Sequence, residues 1–273
     1  MRAITQIKSE VGSALQDRWH RHVYERPSGR YRRHLAAAIL DDRFSECSGK
    51  LVDDGVLILP AYFDAPAVQA MQQDFAAAIK DVPLTDKDFA PLPKEVLSRS
   101  VAIALVAVDP FLTSLISYYW GKDILLAGFS GSRIEPSRAE EYGAFQWHHD
   151  TKRKQVKIML LLSEVAPVGQ RMDYIPGTHP IYHRFSGYED TRFTSDYVRR
   201  FREPVRCAGP AGTVILFDTN GIHRGNRNAG ARRDVCIFNY TAGHALFPLP
   251  PFHPELIRKL TPEQRRILRL SGR

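Results

Sequence analysis

The sequence predicts a mainly β protein with flanking helices, whose core is a jelly-roll or double-stranded β-helix. Three observations lead to this prediction. Apolar residues show helical spacing only before residue 121 and after residue 253. Short strand-like segments, separated by Gly, Pro and Asn, fill the region between. Strands and helices do not alternate as they would in a doubly wound parallel sheet, so two packed antiparallel sheets are expected.

The helical part begins with an extension over residues 1–45. Apolar residues recur there at three- and four-residue spacing, which predicts an amphipathic helix that we expect to dock on the domain. These residues are Ile4, Ile7, Val11, Leu15 and Trp19. A buried strand is predicted over Val56–Pro60, and Asp64 is a suitable N-cap for the helix that follows it. A further helix is predicted over Pro110–Tyr119, before a glycine that can end it.

The central region is predicted to contain seven strands. They cover 124–135, 144–150, 155–163, 171–175, 204–207, 212–217 and 232–241. Helical spacing returns over Pro254–Leu270. With no internal repeat and no linker, we expect one domain over 1–273, with its core at 50–245 and a C-terminal helix at 253–270.

Composition limits the partners and the compartment. The net charge of +8 lies mostly near the two ends and at Lys152-Arg153-Lys154, without a zinc-finger or RNP motif, so no nucleic-acid partner is expected. The basic cluster at 152–154 leaves an anionic small-molecule substrate open. Three cysteines without CxxC spacing fit a reducing compartment. The longest apolar run, Val101–Val108, is too short for a bilayer, so we expect a cytoplasmic monomer or homodimer without a membrane segment.

A candidate metal site lies in the segment Phe145-Gln146-Trp147-His148-His149-Asp150. Side chains alternate along a strand, so His148 and Asp150 would face one side and His149 the other. His223, which follows a later strand and turn, is the best third ligand. Two histidines and one carboxylate leave coordination positions open, as in non-haem Fe(II) oxygenases, whereas structural zinc sites usually have four protein ligands.

Arg233 opens the predicted strand 232–241, ten residues after His223. A guanidinium can bind a carboxylate through two hydrogen bonds, so Arg233 is suited to hold the far carboxylate of 2-oxoglutarate while the keto acid chelates iron. Register at a strand start is poorly determined, so Arg232 is the alternative anchor. Gln146, Arg133 and Lys157 lie on predicted strands near the motif and are further candidates for contacts with 2-oxoglutarate or substrate.

Several segments resemble the phytanoyl-CoA dioxygenase-like family of Fe(II)/2-oxoglutarate-dependent oxygenases. In order along the chain they are Asp54–Pro60, Trp147–Asp150, Asp173–His179, Phe217–His223 and Asn228–Arg233. The resemblance implies the double-stranded β-helix fold, Fe(II) held by His148, Asp150 and His223, and 2-oxoglutarate and O2 as co-substrates. It implies a dioxygenase that hydroxylates or otherwise oxidises a small molecule, such as a secondary metabolite, while 2-oxoglutarate is converted to succinate. Related halogenases have a small residue at the carboxylate position, so Asp150 favours oxidation over halogenation.

The main alternative is a cupin-like metal-binding protein without oxidative turnover. It would use the same three ligands but would have no need of Arg233. Of the remaining histidines, His149 is expected to pack away from the metal and His179 to be a hydrogen-bonded turn residue. The substrate does not follow from the fold.

Overall fold

The computed structural model describes residues 26–136, 143–150, 154–181, 191–226, 230–243 and 247–270, so the helix predicted within 1–25 lies outside the described residues. The described helices are α1 (Gly29–Ala38), α2 (Asp42–Asp54), α3 (Ala65–Ile79), α4 (Val96–Arg99), α5 (Val101–Val106), α6 (Pro110–Trp120), α7 (Ser195–Val198), α8 (Pro254–Lys259) and α9 (Pro262–Ile267). The described strands are β1 (Val56–Leu59), β2 (Phe89–Pro91), β3 (Leu125–Ile134), β4 (Val156–Leu161), β5 (Met172–Tyr174), β6 (Val205–Cys207), β7 (Val214–Asp218), β8 (His223–Gly225) and β9 (Arg233–Thr241).

These strands form two antiparallel sheets joined by a common core. Within the described ranges, one sheet has the order β1-β7-β4-β9-β3-β2 and the other has the order β6-β5-β8. A buried cluster contains Met159 and Ile215 from the larger sheet together with Met172, Tyr174 and Cys207 from the smaller one. The predicted jelly-roll core with flanking helices is therefore confirmed.

Strands β4 and β7 of the larger sheet are buried on both faces, which explains why they are apolar runs instead of alternating patterns. In β4, Ile158 packs outward in one cluster with Phe75 of α3. Met159, the next residue, packs inward in the cluster shared with the smaller sheet. A polar side chain on the inner face is enclosed between the sheets, and Lys157 and Arg233 occupy such positions.

The stretch Val101–Trp120 is long and apolar enough to meet the length and composition criteria for a membrane span. It consists of two helices, α5 and α6. Asp109 interrupts it by accepting a hydrogen bond from Leu112 N, and Pro110 occupies the first turn of α6. Its apolar residues, including Ile103 and Leu112, lie in the main buried cluster. Core helices of this kind meet the same criteria, so the stretch is weak evidence for a membrane span.

Two predictions of local structure are wrong. The strand predicted over 144–150 is absent, and a 3-10 turn at Gly143–Phe145 precedes an irregular segment in which only His148 forms β-bridges. The C-terminal helix is divided into α8 and α9. The division follows from Pro262, because the residue before a proline avoids the helical conformation. Thr261 is extended there, with φ −66° and ψ 161°, and caps α9 through Gln264.

Candidate metal centre

His148, Asp150 and His223 come together between the sheets. Asp150 Oδ1 lies 3.2 Å from His148 Nε2 and 3.5 Å from His223 Nε2. The three candidate ligand atoms are all within 4.8 Å of one another. Both histidines are buried and Asp150 is half-buried. This arrangement is compact enough for the three side chains to share one metal ion.

Backbone hydrogen bonds position the two histidines in the absence of the predicted strand. His148 N donates to His223 O at 2.9 Å, and His223 N donates to His148 O at 2.8 Å. Asp150 N donates to Thr219 O at 3.0 Å in the turn before β8. His149 turns away, with its ring 5.8 Å from that of Phe193. The side chains of residues 148, 149 and 150 therefore alternate in direction as predicted, although isolated β-bridges of His148, and not a regular strand, hold the segment in place.

The tautomer of each histidine is set by a carbonyl two residues earlier in the chain. His148 Nδ1 lies 2.7 Å from Gln146 O, and His223 Nδ1 lies 2.9 Å from Gly221 O. A carbonyl oxygen can only accept, so both Nδ1 atoms carry the proton and both Nε2 atoms present lone pairs to the site. Burial, and then the neighbouring His223, lower the pKa of His148 and keep it neutral. Two such lone pairs beside a carboxylate oxygen form a set of donors that a metal cation can bind.

Lys157 holds the other oxygen of the carboxylate. Its Nζ donates to Asp150 Oδ2, which leaves Oδ1 directed at the two histidines. Burial alone would raise the pKa of Asp150. The Lys157 ammonium, and after it the contacts with the two histidines, outweigh burial and hold this pKa well below its usual value. Asp150 is therefore ionised at neutral pH and presents one oxygen to a metal.

A cavity of about 200 Å³ connects the three ligands with Arg233. It has room for a small organic acid. Its walls are mostly apolar and include Ile134, Phe145, Met159, Met172, Phe217, Val235 and Ile237. A polar ligand would therefore be oriented by the few charged groups that enter the cavity.

The buried guanidinium of Arg233 has no acidic partner among the described residues. It donates from Nη1 to Gln170 O at 2.6 Å, while its Nε has no hydrogen-bond partner and no described residue forms an ion pair with it. Burial lowers the pKa of Arg233 to about 10, so it remains charged at neutral pH. A buried, unpaired cation is costly, and a carboxylate in the cavity would compensate it.

Comparison with known proteins finds oxygenases that are similar to this chain in sequence and in fold. No family model matches the chain. The chain is 25% identical to the ectoine dioxygenase of Stutzerimonas stutzeri over 229 residues, which are 70% of this chain and 72% of that protein. It is also 25% identical to the ectoine dioxygenase of Sphingopyxis alaskensis over 211 residues, covering 64% of this chain and 68% of that protein.

The chain is thus similar in sequence to two ectoine dioxygenases. Solved structures agree in fold. The non-haem α-ketoglutarate-dependent epimerase SnoN from nogalamycin biosynthesis has a TM-score of 0.61 and 16% identity, with 73% of this chain and 83% of SnoN covered. EctD from S. alaskensis with bound Fe has a TM-score of 0.58 and 20% identity, with 72% and 76% covered. The resemblance to phytanoyl-CoA dioxygenase-like Fe(II)/2-oxoglutarate oxygenases is confirmed.

The other candidate residues lie in different places. Arg232 is exposed, so of the two arginines only Arg233 enters the cavity. Arg133 lies on the outer face of β3, where its guanidinium donates to both oxygens of Asp234, at 2.9 and 2.8 Å, and covers the ring of Phe75. Gln146 contributes its carbonyl to His148 and is not among the residues that line the cavity.

Residues 152, 153 and 228 lie outside the described residues, and Lys154 and His179 are not at the metal centre. The Lys154 ammonium lies 3.9 Å from the centroid of the Tyr119 ring. His179, predicted as a turn residue, is half-buried, and its ring lies 6.0 Å from that of Tyr119. Both residues line a second cavity with Tyr119, separate from the one that contains the ligand triad.

Sequence reasoning missed the carbonyl contacts and the Lys157–Asp150 pair. Each carbonyl belongs to the residue two positions before its histidine, Gln146 before His148 and Gly221 before His223. That spacing is visible in the sequence only once both histidines are known to be candidate ligands. Lys157 follows Asp150 by seven residues, a distance that no regular element predicts.

We expect Gly221→Ala to weaken metal binding and destabilise the fold. An added Cβ would overlap the hydroxyl of Tyr174, which donates to Asp218 O at 2.9 Å. Such overpacking typically costs about 1–3 kcal/mol. The shift of the carbonyl that orients His223 should reduce metal affinity by about 10–100-fold. Thermal unfolding and metal titration measure the two effects.

Gly49→Ala is the matched control, because its added Cβ meets no atom within 4 Å in α2. Alanine also favours the helix more than glycine does, so this variant should be as stable as the parent or more so. Wild-type metal affinity in Gly221→Ala would contradict the role given to the carbonyl.

Proposed function

We propose that the chain is an Fe(II)/2-oxoglutarate-dependent dioxygenase that hydroxylates or otherwise oxidises a small molecule and converts 2-oxoglutarate to succinate. One observation carries the proposal. Two imidazoles and a carboxylate open onto a small apolar cavity that also contains the guanidinium of Arg233, which forms no ion pair with any described residue. Three ligands with open coordination positions and a separate carboxylate anchor are what this chemistry requires.

Each residue has a definite task in this proposal. His148 Nε2, His223 Nε2 and Asp150 Oδ1 hold the metal, which supplies O2 activation when bound. Lys157 donates to Asp150 Oδ2, which keeps the carboxylate ionised and leaves only Oδ1 free to bind the metal. Arg233 binds the distal carboxylate of 2-oxoglutarate and so orients the keto acid toward the ligands. The apolar walls exclude water, which strengthens each of these charged contacts.

We propose that the substrate is a polar small molecule, such as a secondary metabolite, and that it carries an anionic group. The homologues named above are ectoine dioxygenases. Structures of the same fold hold 5-hydroxyectoine with 2-oxoglutarate in EctD, and hygromycin B with nickel and 2-oxoglutarate in HygX from Streptomyces hygroscopicus. These compounds differ widely, so the substrate of this chain must be inferred from its own residues.

A cupin-like metal-binding protein without turnover explains the site less well. Such a protein could use His148, Asp150 and His223, but it would bury the charge of Arg233 without a function for it. Burying an unpaired charge is expensive, and it is commonly retained where a ligand compensates it.

We also propose that residues 1–273 act as one oxygenase domain in the cytoplasm, as a monomer or homodimer. The packing of the two ends supports the single domain. Phe44 of α2 and Leu256 of α8 lie in the same buried cluster as Leu216 and Phe238 of the larger sheet. Helices that precede the strands in the chain and helices that follow them therefore pack in one common core with the larger sheet.

The test is turnover and co-substrate binding by the purified chain. With Fe(II), ascorbate, O2 and 2-oxoglutarate, we expect succinate to form. Without O2, adding 2-oxoglutarate to the Fe(II) protein should produce a weak charge-transfer band at ~500 nm, because open positions on the iron accept the keto acid. A protein that binds one Fe(II) but neither produces the band nor forms succinate would be a metal binder and not an oxygenase.

A further inference from the structure

His148 is the central residue of a short backbone ladder. On one side it pairs with His223 through the two reciprocal hydrogen bonds described above. On the other side it pairs antiparallel with Arg192. The bonds that flank this second pair are Phe193 N to Trp147 O at 2.9 Å and a similar contact at 3.1 Å between residues 149 and 191. His148 and Arg192 therefore form a non-hydrogen-bonded pair, in which the two Cα atoms are about 4.5 Å apart.

Directly paired residues of an antiparallel ladder present their side chains on the same face. The residues adjacent to the three ladder positions confirm which face this is. Trp147, Phe193 and Ile222 all lie in one buried apolar cluster. Because side chains alternate, the ladder residues themselves face the opposite way, and for His148 and His223 that is the metal centre. Arg192 therefore extends on the side of the metal centre, next to His148.

The guanidinium of Arg192 is available to a ligand. Arg192 is half-buried and makes no hydrogen bond or ion pair with any residue in the described part of the chain. Nearby arginines differ in this respect. Arg171 lies 2.8 Å from Asp173, and Arg224 lies 3.5 Å from the other oxygen of the same carboxylate. Arg192 is also absent from the walls of the cavity that contains Arg233, so it lies outside the space assigned to 2-oxoglutarate.

We propose that Arg192 is a specificity-determining residue that binds an anionic group, a carboxylate in the simplest case, on the substrate to be oxidised. The inference rests on the proposed function, because it assigns a substrate class to the same site. A guanidinium that binds a carboxylate through two hydrogen bonds fixes both the position and the orientation of the molecule. Substrates would then present a carbon to the metal while their anionic group lies against Arg192.

The experiment compares matched acids and amides on the anaerobic Fe(II)·2-oxoglutarate protein. The probes are proline, pipecolate and benzoate, each paired with its primary amide. Binding is followed by the change in the charge-transfer band and by calorimetry, and succinate formation is measured in air. We expect at least one acid to bind and to stimulate succinate formation, with its amide about tenfold weaker or more. A charge-assisted hydrogen bond contributes about 1.5–3 kcal/mol, so Arg192→Gln should lower the affinity for the acid by roughly 10–100-fold.

Two further variants keep the test specific. Arg192→Lys retains the charge and should recover part of the affinity for the acid. Arg206→Gln removes an exposed arginine from β6 and should bind the acid as the parent does. Equal binding of acid and amide, no binding of any acid, or unchanged acid binding by Arg192→Gln would each overturn the proposal.

The affinity for 2-oxoglutarate separates the remaining outcomes. A loss of 2-oxoglutarate binding in Arg192→Gln, with acid binding unchanged, would mean that this arginine holds the co-substrate. Failure of the parent protein to bind 2-oxoglutarate in the presence of Fe(II) would instead contradict the proposed function itself.

Discussion

Replacing Asp150 with alanine is expected to abolish metal binding at micromolar Fe(II) and to reduce succinate formation by at least about 100-fold. Changes to residues that only support a ligand already cost about 10–100-fold in affinity or activity, and Asp150 is proposed as a ligand itself. The variant also leaves the Lys157 ammonium in the cavity without its carboxylate, so the site gains a repulsive charge. Metal content after dialysis and succinate formation measure the effect.

Two variants control for indirect effects. Asp150→Ala/Lys157→Met removes the uncompensated ammonium and should recover part of the metal affinity that the single variant loses. His149→Gln changes the neighbour that turns toward Phe193, and should retain one equivalent of metal. If Asp150→Ala bound one Fe(II) as tightly as the parent, the carboxylate would not be a ligand.

Replacing Arg233 with glutamine is expected to raise the dissociation constant of 2-oxoglutarate by about 30–4000-fold and to leave Fe(II) binding unchanged. Loss of one partner of a buried, hydrogen-bonded charge pair costs about 2–5 kcal/mol, and each 1.4 kcal/mol is tenfold. The anaerobic charge-transfer band provides the titration. Arg232→Gln is the matched control, because this adjacent side chain is exposed and should have little effect.

A keto acid without the distal carboxylate tests the same contact from the ligand side. 2-Oxopentanoate has the chelating end of 2-oxoglutarate and an uncharged chain. The parent should bind it much more weakly than 2-oxoglutarate, whereas Arg233→Gln should discriminate little between the two. If the variant still preferred 2-oxoglutarate by the parental factor, another cation would hold the distal carboxylate.

The sequence predicted the strands of the core well because they are apolar on both faces. The segments 155–163 and 232–241 contain the apolar runs Ile158–Leu162 and Val235–Phe238, and they correspond to β4 and β9. The strand prediction for 144–150 was wrong because contacts with distant parts of the chain determine the conformation of this segment. Its aromatic residues and alternation match a strand, but only His148 finds backbone partners, one in β8 and one at residue 192. Long-range pairing of that kind leaves no periodic trace in a single sequence.

The candidate ligands could be found from spacing and resemblance, but their surroundings could not. Arg133 and Arg233 are both arginines on strands near the motif, and only the register decides which one enters the cavity. Arg133 is paired outward with Asp234, and Arg233 faces inward. Arg192 belongs to no motif, and only the fold, which places it beside His148, makes it a candidate for substrate binding.

The paired amides and carbonyls of His148 and His223 have a consequence for how such a protein acquires its iron. The fold itself closes the long loop between these two residues and selects both tautomers. The conformational entropy of assembling the ligands is therefore lost during folding, and not when the ion arrives. In zinc fingers, by contrast, metal binding and folding are one event. Here iron could be lost and regained by a chain that stays folded, so loading would depend on the metal supply of the cell and not on renewed synthesis.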